Sequence, residues 1–175
     1  MRALFVALIA AVLLTVPAAA ASPPYVVQGD RAVGGLQIAR GTLAQARQRF
    51  GPPATARSRA SGVECIADWI RIGLRLAFLD FSGRACQDGV LVTATITSRS
   101  AWRTAVGLRV GDPVARVRRL YPRASLHPAS PPWSGYWLVT RRTCAEAGAI
   151  PYPGLLARVW DGRVAALVAG TAPCD

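Results

Sequence analysis

The stretch Gly107-Leu108-Arg109-Val110-Gly111-Asp112-Pro113-Val114-Ala115-Arg116-Val117-Arg118-Arg119-Leu120-Tyr121-Pro122 constrains this chain more than any other. It reads as a short strand or turn, a capped helix start, one amphipathic helix and a proline stop. Asp112 can accept hydrogen bonds from the free N–H groups of the first turn. Pro113 has no N–H to leave unpaired there and holds φ near the helical value. Val114, Val117 and Tyr121 fall at i, i+3 and i+7 and make one buried stripe, while Arg116, Arg118 and Arg119 point elsewhere. Pro122 disfavours any continuation.

The stretch has an echo about 70 residues upstream. Gly35-Leu36-Gln37-Ile38 matches Gly107-Leu108-Arg109-Val110, and the helix stripe Leu43, Ala46 and Phe50 matches Val114, Val117 and Tyr121. Thr42 and Gln45 form a Thr-x-x-Gln capping box, in which each side chain meets the other residue's backbone N–H. Gly51 suits the position after the helix, and Pro52 seals the stop.

The first residues set the compartment. Met1-Arg2 followed by the apolar run Ala3 to Leu14 resembles a secretory signal, and Pro17 to Ser22 offers small-residue cleavage sites. A retained membrane anchor is the alternative, but the run is shorter than the ~20 residues that a span prefers. The expected organisation is a signal peptide at 1–21, a flexible leader at 22–34, repeat one at 35–98, and repeat two with a C-terminal tail at 99–175. No cysteine stands at the cleavage point, which argues against a lipid anchor.

Charge narrows the partners. The formal net charge is +12, and all 21 basic side chains are arginine. A solvated basic surface is one reading; a negatively charged partner, such as a wall polymer or an acidic protein, is the other. Export excludes nucleic acid. Four cysteines, Cys65, Cys86, Cys144 and Cys174, form an even set that favours two disulfides in an exported chain. Three pairings are possible. Cys65–Cys86 and Cys144–Cys174 each close one repeat locally and are the favoured set. Zinc is disfavoured, because no pair has CxxC spacing and the single histidine, His127, has no ligand partner nearby in sequence.

Between these landmarks the chain reads mostly as strands. Ile70, Ile72, Leu74, Leu76 and Phe78 alternate with less apolar residues inside a hairpin over Glu64–Phe81, with Gly73 as a turn or bulge. Val90 to Thr97 is a β-branched strand. Ser98 to Ala105, holding Trp102, joins the two halves, and Tyr136 to Thr140 is a strand. Leu155 to Trp160, Asp161-Gly162, and Arg163 to Val168 make the clearest hairpin, because Asp-Gly accepts the positive φ values of a type I′ turn. The expected fold is α+β: two tandem repeats, each a short helix followed by about three antiparallel strands, packed into one domain.

A Gly-Leu-x-[Ile/Val] strand, a capped helix ending in Gly-Pro or Tyr-Pro, and a strand meander, repeated in tandem, resemble the β-lactamase inhibitory protein architecture. They are also similar to the small outer-membrane assembly lipoproteins (BamE/SmpA-like), which carry a single such unit, and to exported actinobacterial proteins with the doubled unit. The resemblance covers roughly Gly35 to Gly170. It implies a concave sheet surface and protein binding; its motifs serve the fold and specify no chemistry.

Catalytic patterns are sparse. Ser125 lies two residues before His127, a spacing that reads as a surface loop rather than a nucleophile–base couple. Asp80 and Asp88 bracket a turn, and Asp88-Gly89 is explained by turn chemistry. Phosphate-loop, dinucleotide and EF-hand signatures are missing. The expectation is therefore no enzyme, no cofactor and no metal. Aromatic residues offer more. Trp133, Tyr136 and Trp137, with Arg141 and Arg142, form the candidate partner-binding rim, because tryptophan, tyrosine and arginine dominate interface hot spots. The alternative is core packing beside a solvated arginine pair. The reading is an exported binding module for an envelope or extracellular protein, with charge-driven attachment to an anionic wall polymer as the alternative. It includes no stable membrane span after signal removal.

Overall fold

The computed structural model describes residues 25–99, 101–128, 134–142 and 151–170. The expected signal segment, Trp133, Cys144 and Cys174 lie outside the described residues. Three short strands, β1 (Tyr25–Gln28), β2 (Ala32–Val33) and β3 (Leu36–Gln37), precede helix α1 (Leu43–Phe50). Then come β4 (Thr55–Arg59), β5 (Glu64–Trp69), β6 (Leu74–Leu79) and β7 (Val90–Ile96). β8 (Trp102–Thr104) leads into α2 (Val114–Leu120). β9 (Ser125–His127), β10 (Gly135–Arg142), β11 (Pro151–Trp160) and β12 (Arg163–Gly170) follow.

Eight strands form one antiparallel sheet in the order β4-β5-β6-β7-β12-β11-β10-β9, and β3-β2-β1-β8 make a second, smaller sheet. In the smaller one β1 and β8 run parallel, with Tyr25 opposite Trp102. Strand accounts for 50 % and helix for 16 % of the structure. The fold is mostly β. The expected α+β arrangement of two helix-plus-three-strand repeats is thereby overturned. Both helices are short, of 8 and 7 residues, and between them they fully bury only Leu43, Ala46 and Val117. Segments that read as loops pair as strands instead, and β7 joins β12 so that the two halves share one sheet.

The segment 22–34 shows this most clearly. Expected as a flexible leader, it is paired from Tyr25 onward, and Val27 and Val33 are fully buried. Ser98–Ala105 likewise holds β8 rather than a plain linker. In the 64–81 hairpin, the turn is the 3-10 segment Ile70–Ile72 followed by Gly73, so Trp69 opposes Leu74. Ile70 and Ile72 therefore belong to the turn, and Ile70 is exposed. The Asp161-Gly162 hairpin forms as read, with φ of 49° and 68° at the two turn residues.

Local chemistry explains both helix starts. At α1 the Thr42 hydroxyl accepts from the Gln45 N–H at 3.3 Å, and the Gln45 side-chain oxygen accepts from the Thr42 N–H at 3.1 Å. At α2 the cap is Pro113, in extended conformation, rather than Asp112. The sheet supplies the partner that a capping side chain would have provided. Val114 N–H reaches Gly162 O, and Val164 N–H reaches Asp112 O, both at 2.9 Å. The Asp112 carboxylate is left to accept from the Arg109 N–H at 2.8 Å and to pair with Arg116 at 3.3 Å.

The core lies between the large sheet and a layer made of α1, α2 and the small sheet. Trp69, Leu76, Phe78, Ile96, Leu155 and Leu167 enter it from the large sheet, and Trp102 and Val27 from the small one. The opposite face of the large sheet carries a separate buried group, Trp137, Leu156 and Val168. On the same face, Asp68 and Arg75 stand directly across β5 and β6. Cys65, fully buried on β5, is disulfide-bonded to Cys86 in the loop before β7.

Candidate functional site

Strand alternation splits the expected partner-binding rim. Tyr136 pairs with Ala157 and is buried on the helix side, where its hydroxyl accepts from Arg118 at 3.2 Å. Trp137 pairs with Leu156 and turns to the opposite face. Arg141 lies near the far end of β10 and ion-pairs with Asp30 in the β1–β2 turn, with a second contact of 3.0 Å. That guanidinium holds the Asp30 carboxyl below its ordinary pKa. Arg142 is exposed at the strand end. The four described residues of the rim therefore do not converge.

His127 is not a loop residue. It sits on edge strand β9 and stacks on Trp137, with ring centroids 3.7 Å apart and planes at 15°. Ser125 Oγ lies 2.9 Å from His127 Nε2. No carboxylate among the described residues reaches this pair, so nothing orients the imidazole as a general base would require. Asp80 accepts from the Ser82 and Arg84 N–H groups within its own turn, and Asp88 pairs with Arg84 at 2.7 Å. The two carboxylates thus serve a turn. Among the described residues there is no cluster of three or more His, Cys, Asp or Glu side chains able to hold a metal.

A groove of about 740 Å³ opens between the start of α2 and the β9–β11 end of the large sheet. Val114, Leu126, Tyr136, Val159 and Trp160 give it a mostly apolar lining. Edge strand β9 is three residues long, and Leu126 at its centre is 54 % exposed. Trp160, the last residue of β11, is 80 % exposed beside the Asp161-Gly162 turn. Among the described residues Arg158 is the one charged side chain in the lining, and Arg118 donates to the hydroxyl of Tyr136. Of the described residues expected to bind a partner, Tyr136 alone lines this groove. Leu126 and Trp160 were missed, because nothing in their local sequence separates an exposed large apolar side chain from a buried one.

Comparison of the chain with protein-family models, curated proteins and solved structures finds no match. The resemblance drawn from the Gly-Leu strands and proline-stopped helices rests on those residues alone. Among the described residues no helix is long and apolar enough to cross a membrane. The Cys65–Cys86 bond is compatible with an extracytoplasmic protein.

Proposed function

We propose that this chain is an exported, non-enzymatic binding module that holds an apolar, acid-flanked segment of an envelope or extracellular protein in the groove beside Trp160. The observation that carries this reading is the exposure of Trp160 (80 %) and Leu126 (54 %) in the lining of one mostly apolar groove. Two large apolar side chains left in water around a shared concavity are what a partner's side chain would cover. Charge supports the nature of the partner. Among the described residues no carboxylate lines the groove, Arg158 does, and α2 beside it carries the exposed Arg118 and Arg119. An acidic segment would be steered to this side of a chain of net charge +12. Export is supported by the signal-like first residues and by the disulfide.

The test is a comparative capture with the oxidised chain and its W160S variant as baits, using envelope and secreted fractions. Washes at about physiological and then roughly molar salt separate charge from apolar contact, because screening shortens to a few ångströms. One protein retained by the unmodified chain through the strong wash and lost by W160S, with both baits melting alike, supports the reading. Equal retention by both baits, or release of everything by salt, overturns it.

A further inference from the structure

At the other helix a second cavity has the opposite chemistry. It lies between the turn at residues 35–41 and α1, encloses about 540 Å³, and is walled by Gln37, Arg40, Gln45, Gln48 and Arg49. Its volume falls within the roughly 300–1,000 Å³ of small-molecule sites, yet its lining is mostly polar and, among the described residues, holds no carboxylate. Neither arginine has an ion-pair partner among the described residues. The ion pairs among the described residues engage Arg57, Arg75, Arg84, Arg116 and Arg141, and Arg40 and Arg49 make no hydrogen bond there.

The remaining groups point the same way. Gln45 spends its side-chain oxygen on the Thr42 N–H, which leaves its amide nitrogen, a pure donor, for the cleft. Arg49 lies across Gly35, where a Cβ would come within 2.6 Å of its guanidinium. Glycine at position 35, with φ of 83°, thus makes room for the arginine as well as for the turn. Ala39 adopts φ of 66° without being glycine, held by its N–H to Leu91 O at 2.7 Å and by Gly41 N–H to Gln37 O at 2.7 Å. A left-handed alanine costs about 1–2 kcal/mol and persists only where the surroundings impose it. That turn carries Gln37 and Arg40 into one wall of the cleft.

We propose that this cleft binds an oxyanion, the phosphate or carboxylate group of a small or polymeric ligand, through Arg40, Arg49 and the amide of Gln45. Guanidinium groups match both oxyanions in bidentate geometry, and two cations beside the Gln45 amide N–H2 favour a negatively charged ligand. The site lies at α1, apart from the groove at α2, and does not depend on the protein-binding reading.

The test is an amide NMR titration of the full oxidised chain at constant ionic strength, with glycerol phosphate in one arm and glucuronate in the other. Saturable shifts at Gly35, Gln37 and Gly41 in either arm support the site, and the arm that responds names the oxyanion. R40Q and R49Q, both at exposed positions, each weaken that response about tenfold, the worth of one charge-assisted contact. W160S leaves it unchanged. R59Q on edge strand β4 is the charge control. The proposal is overturned if neither probe shifts those amides saturably, or if R59Q weakens binding as much as R49Q does.

Discussion

Trp102 donates its indole N–H to the carbonyl oxygen of Ile72 at 2.8 Å. The bond ties β8, which leads into the second half of the chain, to the β5–β6 turn of the first half. Trp102 is fully buried, with the Tyr25 and Phe50 rings at centroid distances of 4.7 and 6.0 Å. Replacing it by phenylalanine keeps an aromatic ring but leaves the Ile72 carbonyl without this donor and opens a small void. W102F should cost about 2 kcal/mol, which lowers Tm by roughly 4–8 °C for a chain of this size. A thermal melt followed by far-UV circular dichroism reads this; an unchanged Tm would show the bond to be dispensable.

The Cys65–Cys86 bridge closes a loop with a sequence separation of 21. Restricting the unfolded chain to that extent is worth about 3 kcal/mol in the loop-entropy account. The double variant C65A/C86A should therefore melt about 6–12 °C lower. Reduction of a C144A/C174A variant, which keeps only the Cys65–Cys86 bridge, should move its Tm in the same direction, which separates loss of the crosslink from loss of core sulfur.

Thr42 caps α1 with its hydroxyl, while Gln45 returns the contact. T42A removes one half of the box and should cost about 1 kcal/mol, or roughly 2–4 °C in Tm. Thr42→Ser retains the hydroxyl and should melt within a degree or so of the unmodified chain. Equal losses in both variants would assign the effect to the methyl group instead.

Asp68 links three strands. Its carboxylate accepts from Arg75 at 2.7 Å and from the Thr55 hydroxyl at 3.1 Å, with Arg57 at 3.9 Å. The hydrogen bond from Arg75, aided by Thr55, outweighs burial and lowers the Asp68 pKa. Because the folded value lies below the unfolded value of about 3.9, the contribution is complete above that value. It is lost as pH falls through the lower, folded value. D68N should therefore melt lower than the unmodified chain at neutral pH, and the two curves should converge in strong acid. A gap that persists unchanged to pH 2 would show that charge at Asp68 is not the source. Asp30, lowered by Arg141, acts in the same direction and keeps part of the acid sensitivity in D68N.

Sequence and structure agree where the determining contacts are short in range. The Thr42–Gln45 box needs residues three apart, and the Asp161-Gly162 hairpin needs two residues that accept positive φ. Both form as read. The Cys65–Cys86 pairing followed from closing a short loop, and it is present. The alternation in β6 also places Leu74, Leu76 and Phe78 in the core. The candidate sites were far less legible. Tyr136 and Trp137 are adjacent, so strand alternation sends them to opposite sides of the sheet, and only the register of β10 against β11 decides which of the two faces the helices.

What the amino-acid sequence determined by itself is the set of local elements: the two short helices, the hairpins and the disulfide loop. Their cause lies in capping, turn chemistry and side-chain periodicity within a few residues. Tertiary structure alone decided the rest. It made strands of 25–33 and 102–104, moved the cap of α2 to Pro113, and buried Trp102. It also left Trp160 exposed and gathered Arg40 and Arg49 around one cleft. The physical reason is hydrogen bonding at a distance. β7 finds β12, β1 finds β8, and the start of α2 finds Gly162, each through backbone groups that every residue carries. Such pairings leave almost no mark on residue identity, so only the folded chain could assign them.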